Sequence, residues 1–149
     1  MGPFEELLAE LGNALGVSLN SDSNNSCTLL VDEKLKVQVE MQKEKDRLLM
    51  GAHVGVIDPG RFRENVLTEA LKENDLPYPQ VGIFGYSPGN NQLALYDTLE
   101  LNDLTGEKLA DYLSLFIGKS LEWKNALESG KSSPQTRQTG EGPKPFDLR

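Results

Sequence analysis

The stretch "LKVQVEMQ", Leu35–Gln42, alternates without a break: Leu35, Val37, Val39 and Met41 point one way, and Lys36, Gln38, Glu40 and Gln42 the other. A period of two over eight residues is the pattern of a strand with one dry face and one wet face. Such a strand needs neighbours, and the flanking sequence supplies them. Residues 27–32 are rich in β-formers, and Asp32, Glu33 and Lys34 make a tight turn into the quoted strand. "KEKD" turns the chain again, and residues 47–57 form a third strand. Links this short join only antiparallel neighbours, so the three strands form a meander.

Upstream, Phe4, Leu7, Leu8, Leu11, Ala14 and Leu15 recur at helical spacing, with Glu5, Glu6 and Glu10 on the other side and Gly16 as a stop. The run "NSDSNNS" that follows consists of residues whose side chains satisfy turns, and it reads as a loop. Downstream, "DPGRF" carries a helix start in which Asp58 caps and Pro59 occupies the first turn. Phe62, Val66, Leu67, Ala70 and Leu71 then follow at helical spacing, and the helix ends near Asn74. The prolines of "LPYP", Pro77 and Pro79, forbid its continuation. Two more strands, 81–86 and 93–100, flank the loop residues "SPGNN". Thr105 offers a cap to a long helix whose apolar face holds Leu109, Leu113, Phe116, Ile117, Leu121 and Leu127. The expected fold is α+β in the order α-β-β-β-α-β-β-α, an antiparallel sheet with helices packed on one side.

A chain of 149 residues supports one core of ordinary size. The domain is expected over 1–129. Residues 130–149, rich in Ser, Thr, Gly, Pro and charge, are expected to be a flexible polar tail, in which Phe146 and Leu148 are the apolar residues able to anchor a contact.

Composition narrows function by exclusion. Acidic residues outnumber basic ones 23 to 15, for a net charge of −8, and no Lys/Arg stripe could neutralise successive phosphates, so nucleic acid is not an expected partner. A lone cysteine, Cys27, forms no internal disulfide, and "MGPFEELLAEL" lacks the basic and apolar regions of a signal peptide, so residence in the cytosol is expected. No apolar run approaches the roughly 20 residues that span a bilayer. Gly2 invites a myristoylation reading that Pro3 and Leu7 fit poorly.

Chemistry is hard to find. His53 lies in the third strand, in "GAHVGVI", and reads as a strand histidine satisfied locally; one His and one Cys far apart make no metal-ligand set. Cys27 reads as a small buried hydrophobe, with a Cys27/His53 nucleophilic pair as the enzymatic alternative. Asp58, Asp97, Glu100 and Asp103 fall at strand ends and turns, where capping and solvation explain them. Gly51, Gly55, Gly82 and Gly85 suggest close backbone approach or strong twist and match no phosphate-binding loop. The surplus of apolar residues on the helices points instead to partners: a second copy, a client chain, or both.

"NNQLALYDTLELNDLTGEKLADYLSLFIGKSLEWKNAL", residues 90–127, runs from a polar hairpin through a strand and an acidic turn into "L-T-x-E-K-L" at the start of a long amphipathic helix. Together with "NVLTEALKENDLPYPQVGIFGY", residues 65–86, it resembles the small acidic class I chaperones of bacterial type III secretion, relatives of the enteropathogen Tir chaperone. The resemblance covers residues 4 to 129 and rests on the order and spacing of these motifs. The proline-rich "LPYP", the glycines around His53 and the tail beyond Gly130 depart from the family pattern.

The resemblance implies a homodimer in the bacterial cytoplasm, without cofactor, metal or enzymatic activity. It would bind the N-terminal segment of one or more secreted effectors and keep that segment extended, with a separate secretion ATPase driving release. It places effector binding at Phe4, Leu7, Leu8, Leu11, Leu30, Val37, Val39 and Met41, and the dimer interface at Phe62, Val66, Ala70, Leu71, Ile83 and Phe84. Periodicity alone leaves core packing open as the alternative at each of these positions. A same-fold cytosolic interaction or regulatory module is the alternative function.

Overall fold

The computed structural model describes residues 3–77 and 81–134. The expectation of a flexible tail falls mostly outside these residues, as do Tyr78 and Pro79 of "LPYP" and any contact by Phe146 and Leu148. The elements are α1 (Pro3–Leu15), β1 (Ser26–Val31), β2 (Leu35–Gln42), β3 (Arg47–Val56), α2 (Arg61–Asn74), β4 (Ile83–Ser87), β5 (Gln92–Glu100) and α3 (Gly106–Glu128). The five strands form one antiparallel sheet in the order β1-β2-β3-β5-β4, with helices on one side.

The alternation of β2 is realised in full. Leu35, Val37, Val39 and Met41 are buried on the helix side, and Lys36 and Gln38 are exposed on the other. Register extends the same division across the sheet: Val39 pairs with Cys27 and Met50, and Ala52 with Leu95, all on the dry face. The β1–β2 turn works because Asp32 and Glu33 adopt left-handed φ of 52° and 58°, and Lys34 N–H closes on Val31 O at 3.0 Å. "KEKD" becomes one 3-10 turn, Lys43–Lys45, followed by Asp46 at φ 51°. A bulge between His53 and Gly55 breaks the β3–β5 register.

One expected start signal is corrected. Asp58 and Pro59 precede α2, whose N-cap position is Gly60, with no side-chain cap bond. At φ 137° Gly60 holds a conformation that side chains rarely adopt, and it redirects the chain so that the helix begins at Arg61. Thr105 caps α3 as expected, its hydroxyl accepting from Lys108 N–H at 3.2 Å. Other boundaries shift by a residue or two: β4 begins at Ile83 where the sequence suggests 81, and β3 ends at Val56 with Ile57 buried beyond it.

α3 supplies two of the core's largest side chains, Phe116 and Trp123, both fully buried, and Trp123 meets Phe84 of β4 at 4.5 Å between ring centroids. α1 lies on α3. At Gly106 the contact is backbone to backbone: a Cβ there would stand 2.3 Å from Glu10 Cβ and 2.7 Å from Leu11 N. Glu10 Oε1 accepts from Gly106 N–H at 2.8 Å, which satisfies one of the free donors at the start of α3. The carboxylate also suits the positive end of that helix.

Gly106→Ala is therefore expected to force α1 and α3 apart, at about 1–3 kcal/mol, the usual cost of overpacking. Urea titration followed by Trp123 fluorescence measures it; an unchanged midpoint would show that the helices separate freely.

Candidate functional site

The residues expected to bind a partner divide sharply by burial. Phe4, Leu7, Leu8 and Leu11 of α1 and Val37, Val39 and Met41 of β2 all lie inside the core, none more than 7% exposed. Leu30 of β1 stands apart at 59%. Among the residues expected at a dimer interface, Val66, Ala70 and Phe84 are core and Phe62 is partly buried, while Leu71 is 67% and Ile83 41% exposed. Helical and alternating periods identify a face that is dry, and here α3 and α1 dry it from within the chain.

Among the described residues no helix lies on the sheet's other face. Thr28, Leu30, Gln38, His53, Ala94 and Tyr96 line an open trough of about 810 Å³ upon it. Tyr96 is 46% exposed, and its ring lies over Gly85, where a Cβ would sit 2.9 Å from Tyr96 Cε1. The strand glycine thus marks a close approach, as its position suggests. Tyr96 was not among the expected site residues, yet a signal exists: Leu93 and Leu95 face inward, so alternation turns Tyr96 outward.

The two edges of the sheet are finished differently. On β4, the Asn74 side chain acts as a substitute strand: its Oδ1 accepts from Phe84 N–H at 2.8 Å and its Nδ2 donates to Phe84 O at 3.0 Å. Beside it, a buried ion pair joins Lys119 of α3 to Glu73 of α2 at 3.4 Å, and Lys119 also donates to Val81 O at 2.7 Å. Asp97 Oδ2 accepts from Gly82 N–H at 3.2 Å and from the Tyr112 hydroxyl. These polar links close the β4 edge at Phe84 and hold the chain that leads into it.

On β1, the described residues close only the start. Asp22 N–H donates to Ser26 O at 2.8 Å, and Asp22 Oδ1 accepts from Ser26 N–H at 3.0 Å, so both backbone groups of Ser26 face away from β2. Antiparallel geometry alternates inward and outward pairs, which turns the backbone groups of Thr28 and Leu30 outward as well. Both side chains are exposed. This edge presents a template for another strand, with an apolar residue in its middle.

Cys27 and His53 do not meet. Cys27 is buried on the dry face, and His53 is exposed on the open face near Asn90, so the sheet itself separates them. Burial raises the Cys27 thiol above its ordinary pKa of 9.0; a backbone hydrogen bond from Asn20 lowers it, and the charge of Asp22 raises it. Among the described residues no group of three or more His, Cys, Asp or Glu side chains could hold a metal ion, and no helix is long and apolar enough to cross a membrane.

A sheet covered by helices on one face, open on the other and unfinished along one edge defines a small α+β binding domain. The chain belongs to the Tir chaperone protein (CesT) family, whose pattern matches residues 6–124. Comparison with curated protein sequences finds no match. Among solved structures it is similar to a chain of the HopA1-SchA chaperone-effector complex, with a TM-score of 0.68 and 15% identity over 83% of this chain and 94% of that one. It is similar to a chain of the ExsC-ExsE complex at 0.63 and 25% identity, over 81% and 90%. A third likeness is to a chain in the structure of the Yersinia pestis type III secretion chaperone SycH in complex with a stable fragment of YscM2, at 0.61 and 19% identity over 79% and 97%.

Asn74→Ala is expected to strip both backbone partners from Phe84 and to cost about 1–3 kcal/mol, with faster amide exchange at Phe84. Asn74→Asp keeps the acceptor and should lose less; equal losses would show that the amide donor dominates. For Cys27, a raised folded pKa means that its contribution to stability is present below pH 9.0 and is lost as pH rises above it. Stability of Cys27→Ser across that range should lack this loss, and denaturation curves at pH 8 and 10 measure it.

Proposed function

We propose that the chain is a type III secretion chaperone that binds the N-terminal chaperone-binding segment of one or more effectors, keeps it extended and delivers it for export. The observation that carries this reading is the β1 edge, where Thr28 and Leu30 offer outward backbone groups, whereas on β4 Asn74 takes both backbone groups of Phe84. An extended client can add a strand there. Main-chain bonds supply affinity without demanding one sequence, while Leu30 and the trough beside it select alternate side chains. Family membership and the chaperone-effector complex among the similar structures support the same reading.

In this proposal Leu30 contacts the client directly. Phe4, Leu7, Leu8, Leu11, Val37, Val39 and Met41 act from beneath, as the core that keeps α1 and the sheet in place for it. Two copies pair through the α2 and β4 region, where exposed Leu71 and Ile83 would be covered and Phe62, Val66, Ala70 and Phe84 form the support. The protein works in the bacterial cytoplasm without cofactor or catalysis, and the secretion ATPase strips the client from it. Acidity suits a client segment of basic character.

Leu30→Pro tests the edge. Proline is tolerated on an edge strand whose N–H faces outward, but it removes the donor that a client would use. Co-purification from the native cells, followed by native mass spectrometry, should find a secreted protein on the parent chain and at least tenfold less on the variant, with the melting temperature nearly unchanged. Retention of the client at the parent level would move binding away from β1. A partner that is folded on its own would instead favour the interaction-module reading.

Leu71→Glu is expected to halve the mass seen by light scattering while leaving circular dichroism unchanged. An unaltered mass would place the dimer contact elsewhere.

A further inference from the structure

We infer that the client, beyond the stretch paired with β1, crosses the open face of the sheet and seats one large apolar side chain on the bare backbone of Gly51, with an acidic residue two positions away held by Lys36. This rests on the client-binding reading above and adds the chemistry that the open face selects.

The cradle lies in one row of the sheet. Register sets Thr28 beside Gln38, Gln38 beside Gly51, Gly51 beside Tyr96 and Tyr96 beside Ile83, all on the face without helices. In the middle of that row the side chains lean apart. Gln38 Nε2 donates to Ser26 Oγ at 2.9 Å, which draws the amide toward β1. Tyr96 leans the other way, its ring over Gly85 of β4. His53, two residues along β3 on the same face, turns its Nδ1 to within 3.5 Å of Asn90 Nδ2. Gly51 is left between them. A Cβ placed there would meet nothing closer than 3.9 Å, the Leu95 carbonyl oxygen and Tyr96 Cβ, whereas one at Gly85 would strike the ring at 2.9 Å. The two strand glycines therefore serve opposite ends: Gly85 seats a side chain of this protein, and Gly51 leaves room for a side chain from elsewhere. Leu49 and Ala94 add apolar walls, so the room suits a large aliphatic or aromatic group.

Charge fixes the neighbour. The chain as a whole is acidic, at −8, yet three lysines and two glutamates line the trough. Lys34 and Lys124 both approach Glu128, at 3.9 and 3.4 Å. Lys36 is exposed and forms no ion pair among the described residues. It stands one strand over from Gly51 and two residues along, roughly 8 Å away by strand geometry. An extended chain carries same-side side chains every two residues, roughly 7 Å apart, so an apolar residue on Gly51 places an acidic residue two positions away at Lys36. That residue is a local exception, since the surface as a whole favours a client of basic character. β1 and β3 are two strand spacings apart, roughly 10 Å, which about three extended residues cross.

Phage display of random dodecapeptides against the purified full chain tests this. Peptides selected on the parent should be enriched about tenfold in a Leu, Ile, Phe or Met with an Asp or Glu two positions away, the discrimination expected from one buried apolar side chain. Gly51→Val puts a strand-forming side chain into open space, so the melting temperature should match the parent's while the apolar preference disappears. Lys36→Glu, at an exposed position, should exchange the acidic preference for Lys or Arg, and it carries the test alone should Gly51→Val fail to fold. Retention of the apolar preference on folded Gly51→Val, or of the acidic preference on Lys36→Glu, would overturn the inference. A changed mass by light scattering for Gly51→Val with peptide selection unaltered would overturn it too, and would assign the site to a second copy. Selection that Leu30→Pro abolishes and Gly51→Val leaves intact would keep the β1 edge and remove the pocket; no selected peptide at all would remove both.

Discussion

The approach of α3 onto α1 at Gly106 is the contact from which the remaining architecture follows. With no Cβ in the way, the first turn of α3 rests on the backbone of Glu10 and Leu11, and the Glu10 carboxylate caps one of the donors exposed there. α1 is thereby committed to the helix layer. Its apolar residues Phe4, Leu7, Leu8 and Leu11 are spent on the core and not on the surface. A single layer of helices can dry only one face of a five-stranded sheet, so the other face must remain in water or be covered by something else. The trough is the consequence.

Edge chemistry gives the open face its direction. Backbone donors and acceptors along a sheet edge need partners, and a protein that leaves them bare risks pairing with any extended chain. At Phe84 of β4 the need is met within the fold: Asn74 contributes an amide whose two ends match those of a strand, and the Lys119–Glu73 pair joins the helices beside it. At β1, Asp22 meets the need at Ser26 and nothing in the described chain does so at Thr28 and Leu30. The β4 edge is thus occupied at Phe84, and the β1 edge is open at Thr28 and Leu30. In the function proposed above, the β1 edge recognises an extended segment by what all segments share, their backbone.

Cys27 and His53 illustrate how a sheet rules chemistry in or out. They are the two side chains that elementary reactivity would single out, and their strands are joined through β2. Yet one faces the core and the other faces water, so their separation follows from strand parity. A thiol whose pKa is raised by burial is a packing residue, and its neighbours Val39 and Leu29 treat it as one.

By itself the sequence determined the order and kind of every element, because those rest on local periods: the unbroken alternation of Leu35–Gln42, the helical spacing on either side, and the cap at Thr105. It determined the class of surface too, acidic and free of phosphate-binding patterns. Where a single glycine outweighed a start signal, as Gly60 did over Asp58, the local reading missed by a few residues. What only the tertiary structure decided is which dry faces are dried from inside. Val37 and Leu30 look alike in sequence, yet one lies under α3 and the other stands in solvent, and the difference is set by contacts between residues far apart in the chain. Glu10 with Gly106, Asn74 with Phe84 and Lys34 with Asn125 leave no periodic trace, because a hydrogen bond across many residues depends on where the folded chain returns and not on the residues beside it.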